Sequence, residues 1–361
     1  MIDILAYSEL ESVEGESSSF KATIRKKSRY VNASICNACG DCVAKCPVKV
    51  KNEFDMNFGV RKAIYQYFPQ GIPSIMTIDG TKCLKITQNK CGICSKACVK
   101  GAIDYEMKDE TVEIEVASII IATGFDMLPV SHLTQYGYGK IKNVITGLEY
   151  ERLINATGPT EGHLYRPSDK KLAHKVAYLQ CIGSRDQNNC AYCSSVCCMY
   201  SIKDAMLAKE HDSEAEGYIF HTDFRNVGKW FQNYEKKGKN DYDIKYIRGR
   251  AAEITEDADN NPIVFYEDTK TQEIRQLTVD LVVLATATIP SKGFQELARK
   301  LRIETGKDGF VQTNSRLPVS TSRKGIFACG FCIAPADIPE SVAQGAAAAG
   351  LAAQIALSRA G

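Results

Sequence analysis

The chain lacks the features that would mark a membrane or a nucleic-acid-binding protein. Its 361 residues contain no apolar run of the roughly 18 residues that a membrane span requires. The N-terminus shows no basic segment followed by an apolar one, as an export signal would. The formal net charge is only +2, so there is no electrostatic reason to expect nucleic acid as a partner. These absences predict a soluble, cytoplasmic protein.

A glycine-rich nucleotide-binding turn is also missing. Proteins that bind a dinucleotide usually carry G-x-G-x-x-G between a strand and a helix, because the glycines let the pyrophosphate approach the backbone. The nearest match, Gly137-Tyr-Gly139, has no third glycine and no strand before it. The sequence therefore offers no ordinary site for the ADP half of a dinucleotide.

Cysteine, by contrast, is abundant, with 15 residues in the chain. Disulfides explain such a number in small secreted domains, but this chain is neither small nor evidently exported. The spacing of the cysteines then has to decide between disulfides and metal ligands.

The first cysteine run, CNACGDCVAKCP, has the spacing C-x2-C-x2-C-x3-C-P of a bacterial ferredoxin. Three cysteines two residues apart can surround one [4Fe–4S] cluster, and the fourth, followed by proline, usually binds a second cluster. The run predicts cluster ligands at Cys36, Cys39, Cys42 and Cys46.

The second run, CLKITQNKCGICSKAC, is irregular. Cys91, Cys94 and Cys98 keep the C-x2-C-x3-C ending, whereas Cys83 stands well upstream of them. Cys83 is either a spare structural cysteine or the ligand that completes the second cluster, and the need for a fourth thiolate favours ligation. By the crossover usual in ferredoxin runs, one cluster takes Cys36, Cys39, Cys42 and Cys98, and the other takes Cys46, Cys83, Cys91 and Cys94.

The segments around these runs predict a larger α/β fold. The apolar strands in VEIEVASIIIATGFD and DLVVLATATIP end in ATG and ATA, and GIFACG precedes a small-residue helix that begins near Pro339. This order resembles that of two-dinucleotide-domain flavoproteins such as thioredoxin reductase. We therefore expect a thioredoxin-reductase-like α/β fold with an inserted ferredoxin-like α+β domain that holds two [4Fe–4S] clusters.

Longer motifs make the resemblance more specific. RKKSRYV, CLKITQNKCGICSKAC, YGYGKIKNVITGLEYERLINATGPT, QCIGSRD with YCSSVCCMYSIKDAMLAKEH, and IPESVAQGAAAAG together resemble the A-type subunit of heterodisulfide reductase, an iron–sulfur flavoprotein family of methanogens. The resemblance runs along essentially the whole chain. Its most specific part is the segment with adjacent cysteines at the strand-to-helix turn of the second nucleotide domain.

The resemblance implies that this turn binds a third [4Fe–4S] cluster beside a flavin in place of a pyridine nucleotide. Carried over by motif, its ligands are Cys181, Cys193, Cys197 and Cys198, with Cys190 as an alternative to one of them. The resemblance also places Lys203 beside the flavin N5 atom, with Glu151 as a carboxylate partner that could neutralise the lysine or move it. An ordinary surface lysine and a solvated helix face are the alternative for this pair.

The same resemblance suggests FAD contacts at the ends of the ATG strand and the FACG strand and in the turn before the last helix. These candidates are Thr123, Gly124, Gly330, Glu340, Ser341, Gln344 and Gly345. Cys329 and Cys332 have the spacing of a redox pair, but Cys329 takes a generally buried position and no partner base is evident, so we interpret both as structural.

The predicted domain limits follow from these assignments. Residues 1–32, 107–172 and 291–361 would form the FAD domain, 33–106 the inserted domain, and 173–290 a degenerate NAD-type domain with the third cluster. Because the chain begins on a strand typical of the middle of the first domain, it looks like a short or split form. We expect another subunit to supply the missing part of the FAD site.

Two functions are compatible with these features. The first, which the resemblance implies, is an oxidoreductase subunit that is active within a heterodisulfide-reductase-like complex, in which electron bifurcation at FAD couples reduction of a CoM-S-S-CoB-type disulfide to reduction of ferredoxin. Its partners would include ferredoxin and an electron donor such as hydrogenase or formate dehydrogenase. The alternative is a relay or scaffold subunit of such a complex that has kept its clusters and lost the flavin.

Overall fold

The computed structural model describes residues 2–360, which form two compact units. The first unit contains the described residues up to Ser118, together with Arg299–Arg302 and the residues from Ile355 onward. The second unit contains Ile119–Ala298 and Ile303–Gln354. Within the described range, no helix is long and apolar enough to cross a membrane. The five-part domain division stays a prediction.

An antiparallel sheet of three strands organises the first unit. Strands β1 (Ser8–Glu16), β2 (Ser19–Lys26) and β7 (Glu110–Val116) lie side by side in that order. The register of β2 and β7 runs from Phe20 opposite Val116 to Lys26 opposite Glu110. The chain therefore leaves the sheet after β2 and returns to the neighbouring position, which is how an insertion sits within a sheet.

The segment between β2 and β7 consists of short elements, because closely spaced cysteines and glycines leave little room for long ones. These elements are α1 (Asp41–Lys45), β3 (Lys49–Lys51), β4 (Val60–Lys62), β5 (Ile64–Tyr65), β6 (Thr77–Ile78), α2 (Leu84–Gln88) and α3 (Ile93–Ala97). β3 pairs with β4 and β5 with β6, both antiparallel. The small core between them contains Ile64, Ile78 and Ala102 beside four buried cysteines.

A parallel sheet of five strands forms the core of the second unit. In spatial order its strands are β10 (Val144–Thr146), β17 (Leu281–Thr286), β11 (Lys175–Ile182), β12 (Glu216–His221) and β13 (Lys245–Arg248). Every residue of β17 is buried, as is every residue of β11 after the first. Continuous apolar runs such as these are typical of parallel strands that are covered on both faces.

The chain around these strands also forms helices and smaller sheets. The helices are α4 (Gly147–Ile154), α5 (Cys197–His211), α6 (Phe231–Asp241), α7 (Phe294–Leu301) and α8 (Ile338–Ala360), with 3-10 turns at Thr134–Tyr136 and Gly330–Cys332. Strands β14 (Ala251–Glu256), β15 (Pro262–Asp268) and β16 (Glu273–Thr278) form an antiparallel sheet. Because α5 connects β11 to β12, its first residues lie at the carboxyl edge of the large sheet, where α/β proteins usually bind ligands.

Two short strand pairs complete the second unit. β9 (Phe125–Met127) pairs antiparallel with β18 (Thr288–Pro290), and β8 (Ile119–Ile121) pairs in parallel with β19 (Ile326–Ala328). The strands that end in ATG and FACG are therefore neighbours, whereas the ATA strand belongs to the large sheet. Within the described residues, the β8–β19 sheet has only these two strands.

Core packing in the large sheet predicts a clear stability effect. Leu284 is fully buried in β17, so its change to alanine removes packed methyl groups and leaves a cavity. We expect Leu284→Ala to lower the free energy of unfolding by about 2–5 kcal/mol. Urea denaturation followed by circular dichroism measures this loss. Leu317→Ala, at a side chain that is 51% exposed, is the matched control, and an equal loss in both variants would contradict the assigned core.

Candidate cofactor sites

Cysteines from both ends of the first unit's insertion line a common cavity. Cys36, Cys39, Cys42 and Cys98 face it together with Val31, Met76 and Ile103. The loop turns tightly because Ala38 and Gly40 adopt left-handed φ angles of 57° and 87°, and Cys42 then lies in α1. Burial raises the pKa of the Cys42 thiol to about 11. The cavity therefore brings four sulfur donors together, and one of them, Cys42, is hard to ionise unless a cation binds it.

A second cavity combines the remaining cysteines of the two runs. Cys46, Cys83, Cys91 and Cys94 line it beside Ile64, Ile78 and Tyr105. Cys83 reaches it, despite its distant position in sequence, because it directly precedes α2 and the chain returns to Cys91 after that helix. Burial raises the pKa of Cys94, whose Sγ lies 2.9 Å from the Tyr105 hydroxyl. The two cavities thus divide the eight cysteines as the crossover predicts.

A third group of cysteines lies where β11 meets α5. Cys181, the second-last residue of the strand, has a left-handed φ of 60°, and Cys197 and Cys198 are the first two residues of the helix. A hydrogen bond with Cys198 raises the pKa of Cys197, and burial and the nearby Cys181 and Cys193 act in the same direction. A hydrogen bond from Cys197 lowers the pKa of Cys198, whose Sγ also accepts the Arg225 backbone N–H over 3.5 Å.

Cys190 is close to this group in sequence and is buried, but its side chain contacts Tyr192 instead of the other cysteines. Its thiol forms a hydrogen bond with Tyr192. The pKa of Tyr192 is raised, mainly by burial and next by this hydrogen bond. The Cys190 backbone N–H donates to the Gly183 carbonyl over 3.0 Å and holds the loop against β11. The structure therefore brings Cys181, Cys193, Cys197 and Cys198 together and gives Cys190 a place in the supporting loop.

The donor chemistry of these groups suits iron–sulfur clusters. Among residues 2–360, no three His, Cys, Asp or Glu side chains are placed to hold a single metal ion. Each group instead offers four thiols, which as thiolates are the ligands that [4Fe–4S] clusters use. Two of the groups face cavities with largely apolar neighbours. The residues present therefore fit this kind of cofactor.

A groove of about 1070 Å³ lies in the second unit beside the third cysteine group. Of the predicted flavin contacts, Gly124, Gly330, Glu340 and Ser341 line it. Gln344 accepts a hydrogen bond from the Gly330 backbone N–H over 2.7 Å, so it supports the wall. Thr123 and Gly345 are not among the residues that line the groove.

Several lining residues of the groove were not predicted from the sequence. They are mainly apolar and aromatic, and they include Phe125, Met199, Tyr200, Phe231 and Phe331. Cys193 also lines the groove, so one of the four grouped cysteines directly borders the space where a flat ligand would lie. A groove of this size with apolar walls and a few polar groups is typical of a cofactor site. The fit to a flavin is therefore good.

Lys203 and Glu151 form the predicted pair. The Lys203 ammonium, on α5, contacts Glu151 Oε1 on α4 and lies 2.6 Å from Asp204 Oδ1. Glu151 lines a smaller cavity that shares Phe125, Val196 and Tyr200 with the groove. Lys203 is not among the lining residues of the groove, and its position beside flavin N5 stays a prediction.

Asp204 is a titratable residue of this site that the sequence did not reveal. Its side chain is fully buried, and burial raises the pKa of this carboxyl group to about 8, with Glu151 acting in the same direction and Lys203 against it. Burial alone lowers the pKa of Lys203, but Asp204 and Glu151 outweigh it and the net pKa is raised. One ammonium can neutralise only one carboxylate, and this shortage of positive charge, together with burial, favours the protonated form of Asp204.

The surroundings of Asp204 are polar but closed. The Tyr178 hydroxyl donates to the Tyr150 hydroxyl over 2.9 Å, and Tyr150 in turn donates to the Asp204 backbone carbonyl over 3.0 Å. Both tyrosines are fully buried. These bonds fix α5 against the large sheet and thereby fix the backbone position from which the Lys203 side chain extends.

The remaining cysteine pair shows no sign of reactivity. Cys332 is buried, with its Sγ 3.2 Å from the Cys329 carbonyl oxygen and 3.4 Å from that of Ile121. Burial raises the pKa of both thiols. Such an environment disfavours the reactive thiolate form. It agrees with a structural role for Cys329 and Cys332, which stays a prediction.

Comparison with known proteins identifies relatives over nearly the whole chain. The iron–sulfur A-type subunit of a CoB–CoM heterodisulfide reductase of Methanocaldococcus jannaschii is 44% identical over 96% of this chain. The A-type subunit of an H(2):CoB-CoM heterodisulfide,ferredoxin reductase of Methanothermobacter thermautotrophicus is 40% identical over 98%. That of an H(2)/formate:CoB-CoM heterodisulfide,ferredoxin reductase of Methanococcus maripaludis is 43% identical over 96%.

This chain spans only about half of these relatives, 53% of the length of each. Residues 222–350 also match the family model "Pyridine nucleotide-disulphide oxidoreductase". Together with the large parallel sheet, these matches confirm the expected α/β fold of the two-dinucleotide flavoprotein class.

The raised pKa of Asp204 predicts how stability depends on pH. A buried carboxyl group that keeps its proton in the folded state but loses it in the unfolded state makes the fold less stable as pH rises from about 4 to about 8. We therefore compare the free energy of unfolding of Asp204→Asn with that of the unchanged protein by urea unfolding. The difference should shift in favour of the variant between pH 5 and pH 8. Asp241→Asn, at an exposed aspartate, is the control, and an equal pH response in both variants would contradict a protonated Asp204.

Proposed function

Because this chain belongs to the family of heterodisulfide reductase A-type subunits, we propose that it is an oxidoreductase subunit that passes electrons between three [4Fe–4S] clusters and FAD. One observation carries this proposal most directly: Cys193 belongs to the third cysteine group and also lines the large groove. A metal cluster and a flat organic cofactor placed in this way would be near neighbours, as electron transfer between them requires.

The proposed ligands follow the three groups of cysteines. Two clusters would be held in the first unit, one by Cys36, Cys39, Cys42 and Cys98 and the other by Cys46, Cys83, Cys91 and Cys94. The third would be held near the start of α5 by Cys181, Cys193, Cys197 and Cys198. When bound, the clusters carry single electrons and the flavin carries pairs, so together they connect two-electron and one-electron chemistry. Arg225 supports the third site through its backbone N–H to Cys198.

The groove residues would bind and orient the flavin. Gly124 and Gly330 have left-handed φ angles of 67° and 70°, and a Cβ at Gly124 would meet no atom within 4 Å, so the backbone is open to a ligand there. Glu340 and Asp337 cap the first turn of α8 through reciprocal hydrogen bonds of 3.0 and 2.8 Å. This cap fixes Ser341 in the groove wall, where its hydroxyl can donate to a cofactor oxygen.

Lys203 and Glu151 would control charge beside the flavin. While Glu151 pairs with Lys203, the pair is close to neutral, and it lies next to the smaller cavity that shares lining residues with the groove. A free Lys203 ammonium there would favour an anionic cofactor. Rotation of Glu151 away from Lys203 would free the ammonium. Asp204 remains behind it and limits how far the lysine can move.

We further propose that another polypeptide segment completes the FAD site. The β8–β19 sheet has two strands among the described residues, although parallel sheets are normally larger and covered on both faces. The start of α8 is also exposed, with Ile338 at 81% and Val342 at 66%. Additional parallel strands beside β8 would cover these apolar groups and could bring the missing phosphate-binding turn.

The names of the relatives suggest which reactions the complex performs. They describe reductases of a CoB–CoM heterodisulfide and of ferredoxin that use hydrogen or formate. For this chain we propose a cytoplasmic complex of methanogenesis that bifurcates electrons between such a disulfide and ferredoxin, with hydrogenase or formate dehydrogenase as the donor. The missing glycine-rich turn favours one alternative, a relay subunit without flavin.

Exchange of single cysteines tests the proposed third cluster. In Cys197→Ser, the loss of one thiolate should remove this cluster and lower the iron content by about four atoms per chain. Cys190→Ser is the matched control, because Cys190 contacts Tyr192 and should leave the iron content unchanged. Iron is measured chemically after anaerobic purification. If Cys190→Ser loses iron and Cys197→Ser does not, then Cys190 is the ligand and Cys197 is not.

Filling the groove tests the proposed flavin site. We expect Ser341→Trp to exclude FAD from the complex, because the larger side chain would occupy the groove beside Gly330. The variant complex, purified from its native cell background, should retain its iron, which serves as the internal control for folding. Unchanged flavin absorbance would contradict this site, and an unmodified complex with iron but no flavin at this chain would favour the relay.

A further inference from the structure

The first unit contains a cavity that none of the proposed cofactors uses. It has a volume of about 520 Å³ and is separate from the cysteine-lined cavities. Five aromatic side chains face it, which are Tyr7, Phe54, Tyr65, Tyr67 and Phe68. Phe54 packs edge-on against Tyr67 with 5.6 Å between ring centroids and lies 5.1 Å from Phe68. The walls therefore offer both faces and edges of aromatic rings.

Arg29 supplies a positive charge to this cavity. Its Nη1 donates to Thr77 Oγ1 over 3.1 Å, and its guanidinium carbon lies 5.0 Å from the centre of the Tyr7 ring. Within residues 2–360, no carboxylate forms an ion pair with Arg29. Its five N–H donors thus remain largely available, and they can form two parallel hydrogen bonds to a carboxylate, phosphate or sulfonate.

The other arginines nearby behave differently. Arg25 pairs with Glu9 at 2.6 Å and lies within 3.5 Å of Glu11 and Asp109 as well. Arg61 pairs with Glu53 at 2.6 Å and with Asp79 at 2.9 Å. Burial lowers the pKa of Arg29, whereas the acids raise the pKa of Arg25. A half-buried cation without a counter-ion is costly, so its presence beside an open cavity suggests that an anion completes it.

The position of the cavity gives it a connection to the cluster-binding part of the unit. In the β5–β6 hairpin, Ile64 and Ile78 line the second cysteine cavity, whereas Tyr65 and Thr77 line the aromatic one. Successive side chains of a strand point to opposite faces, so this hairpin is a single wall between the two cavities. A negative charge bound at Arg29 would lie behind the wall of the proposed second cluster.

We propose that this cavity binds a small organic anion in which a carboxylate, phosphate or sulfonate is attached to an aromatic or flat apolar body. The guanidinium of Arg29 binds the anionic group, and the rings of Tyr67, Phe54 and Phe68 hold the apolar body. The cavity volume lies within the usual range for small-molecule sites. The proposal does not depend on the flavin or on the identity of the electron donor.

Titration with matched probes tests the proposal. 1-Naphthoate carries the expected anion on a flat body, and 1-naphthamide is its neutral counterpart; binding of each to the complete, cluster-loaded chain is measured by calorimetry. We expect naphthoate to bind at least about tenfold more tightly than naphthamide, because a charge-assisted hydrogen bond is worth this much or more. Arg29→Gln should abolish this preference and leave the weaker naphthamide affinity unchanged.

Two further variants separate the site from general effects on folding or charge. Arg25→Gln removes the same charge from the neighbouring strand, where acids already neutralise it, and should change naphthoate affinity less than about twofold. Phe68→Ala should weaken both probes by removing part of the aromatic wall. If Arg29→Gln fails to fold, Arg29→Lys replaces it and should retain part of the preference for naphthoate.

The outcomes decide the proposal either way. Equal affinity for the two probes, an unchanged naphthoate affinity in the Arg29 variant, or equal losses in the Arg25 and Arg29 variants would each overturn it. No binding of naphthoate at about 10 mM would do the same. If naphthoate fails but a peptide ending in phenylalanine binds, the cavity receives a protein terminus, and the proposal of a small-molecule site is wrong.

Discussion

The convergence of distant cysteines on shared sites is the constraint on which the rest of this structure depends. In the first unit, each cavity takes cysteines from both runs, so neither site can form from one run alone. The short helices, left-handed turns and small hairpins between them would have little stability alone, since the surrounding core is small. Thiolates bound to a cluster would supply the cross-links that such a small domain otherwise lacks.

In the second unit, cysteines occupy the turn between a strand and a helix. A nucleotide-binding α/β fold normally presents a glycine-rich turn at the strand-to-helix junction, but here Cys181 lies at the end of β11, one residue before its last, and two cysteines begin α5. The junction keeps the geometry of that fold, including its position at the carboxyl edge of the sheet. Cysteine side chains thereby stand where a phosphate-binding turn would be, and we propose that they hold a cluster beside the open groove.

Much of this could be predicted from the sequence because spacing determines it. The two cysteine runs, the strands that end in ATG and ATA, and the pairing of Lys203 with Glu151 all follow from local motifs or from the family resemblance. Asp204 could not be found in this way, since a charged residue in a helix usually faces solvent, and only the packing of α5 shows that it is buried. The aromatic walls of the groove come from separate elements that only the tertiary fold brings together.

The family resemblance also left questions that packing answers in part. Cys83 and Cys190 both stood at irregular positions, and sequence alone gave each two roles. The fold places Cys83 in a cavity with three other cysteines, because α2 returns the chain to them. It places Cys190 in a loop against Tyr192.

We propose above all that this chain carries three clusters, of which the one held in the second unit lies beside a flavin. The most direct measurement is the iron and flavin content of the anaerobically purified complex, combined with electron paramagnetic resonance of its reduced form. The account predicts about twelve irons for each copy of this chain, from three clusters of four, together with FAD and magnetic coupling between the two clusters of the first unit. About eight irons, or uncoupled signals only, would contradict the arrangement of cysteines that we describe.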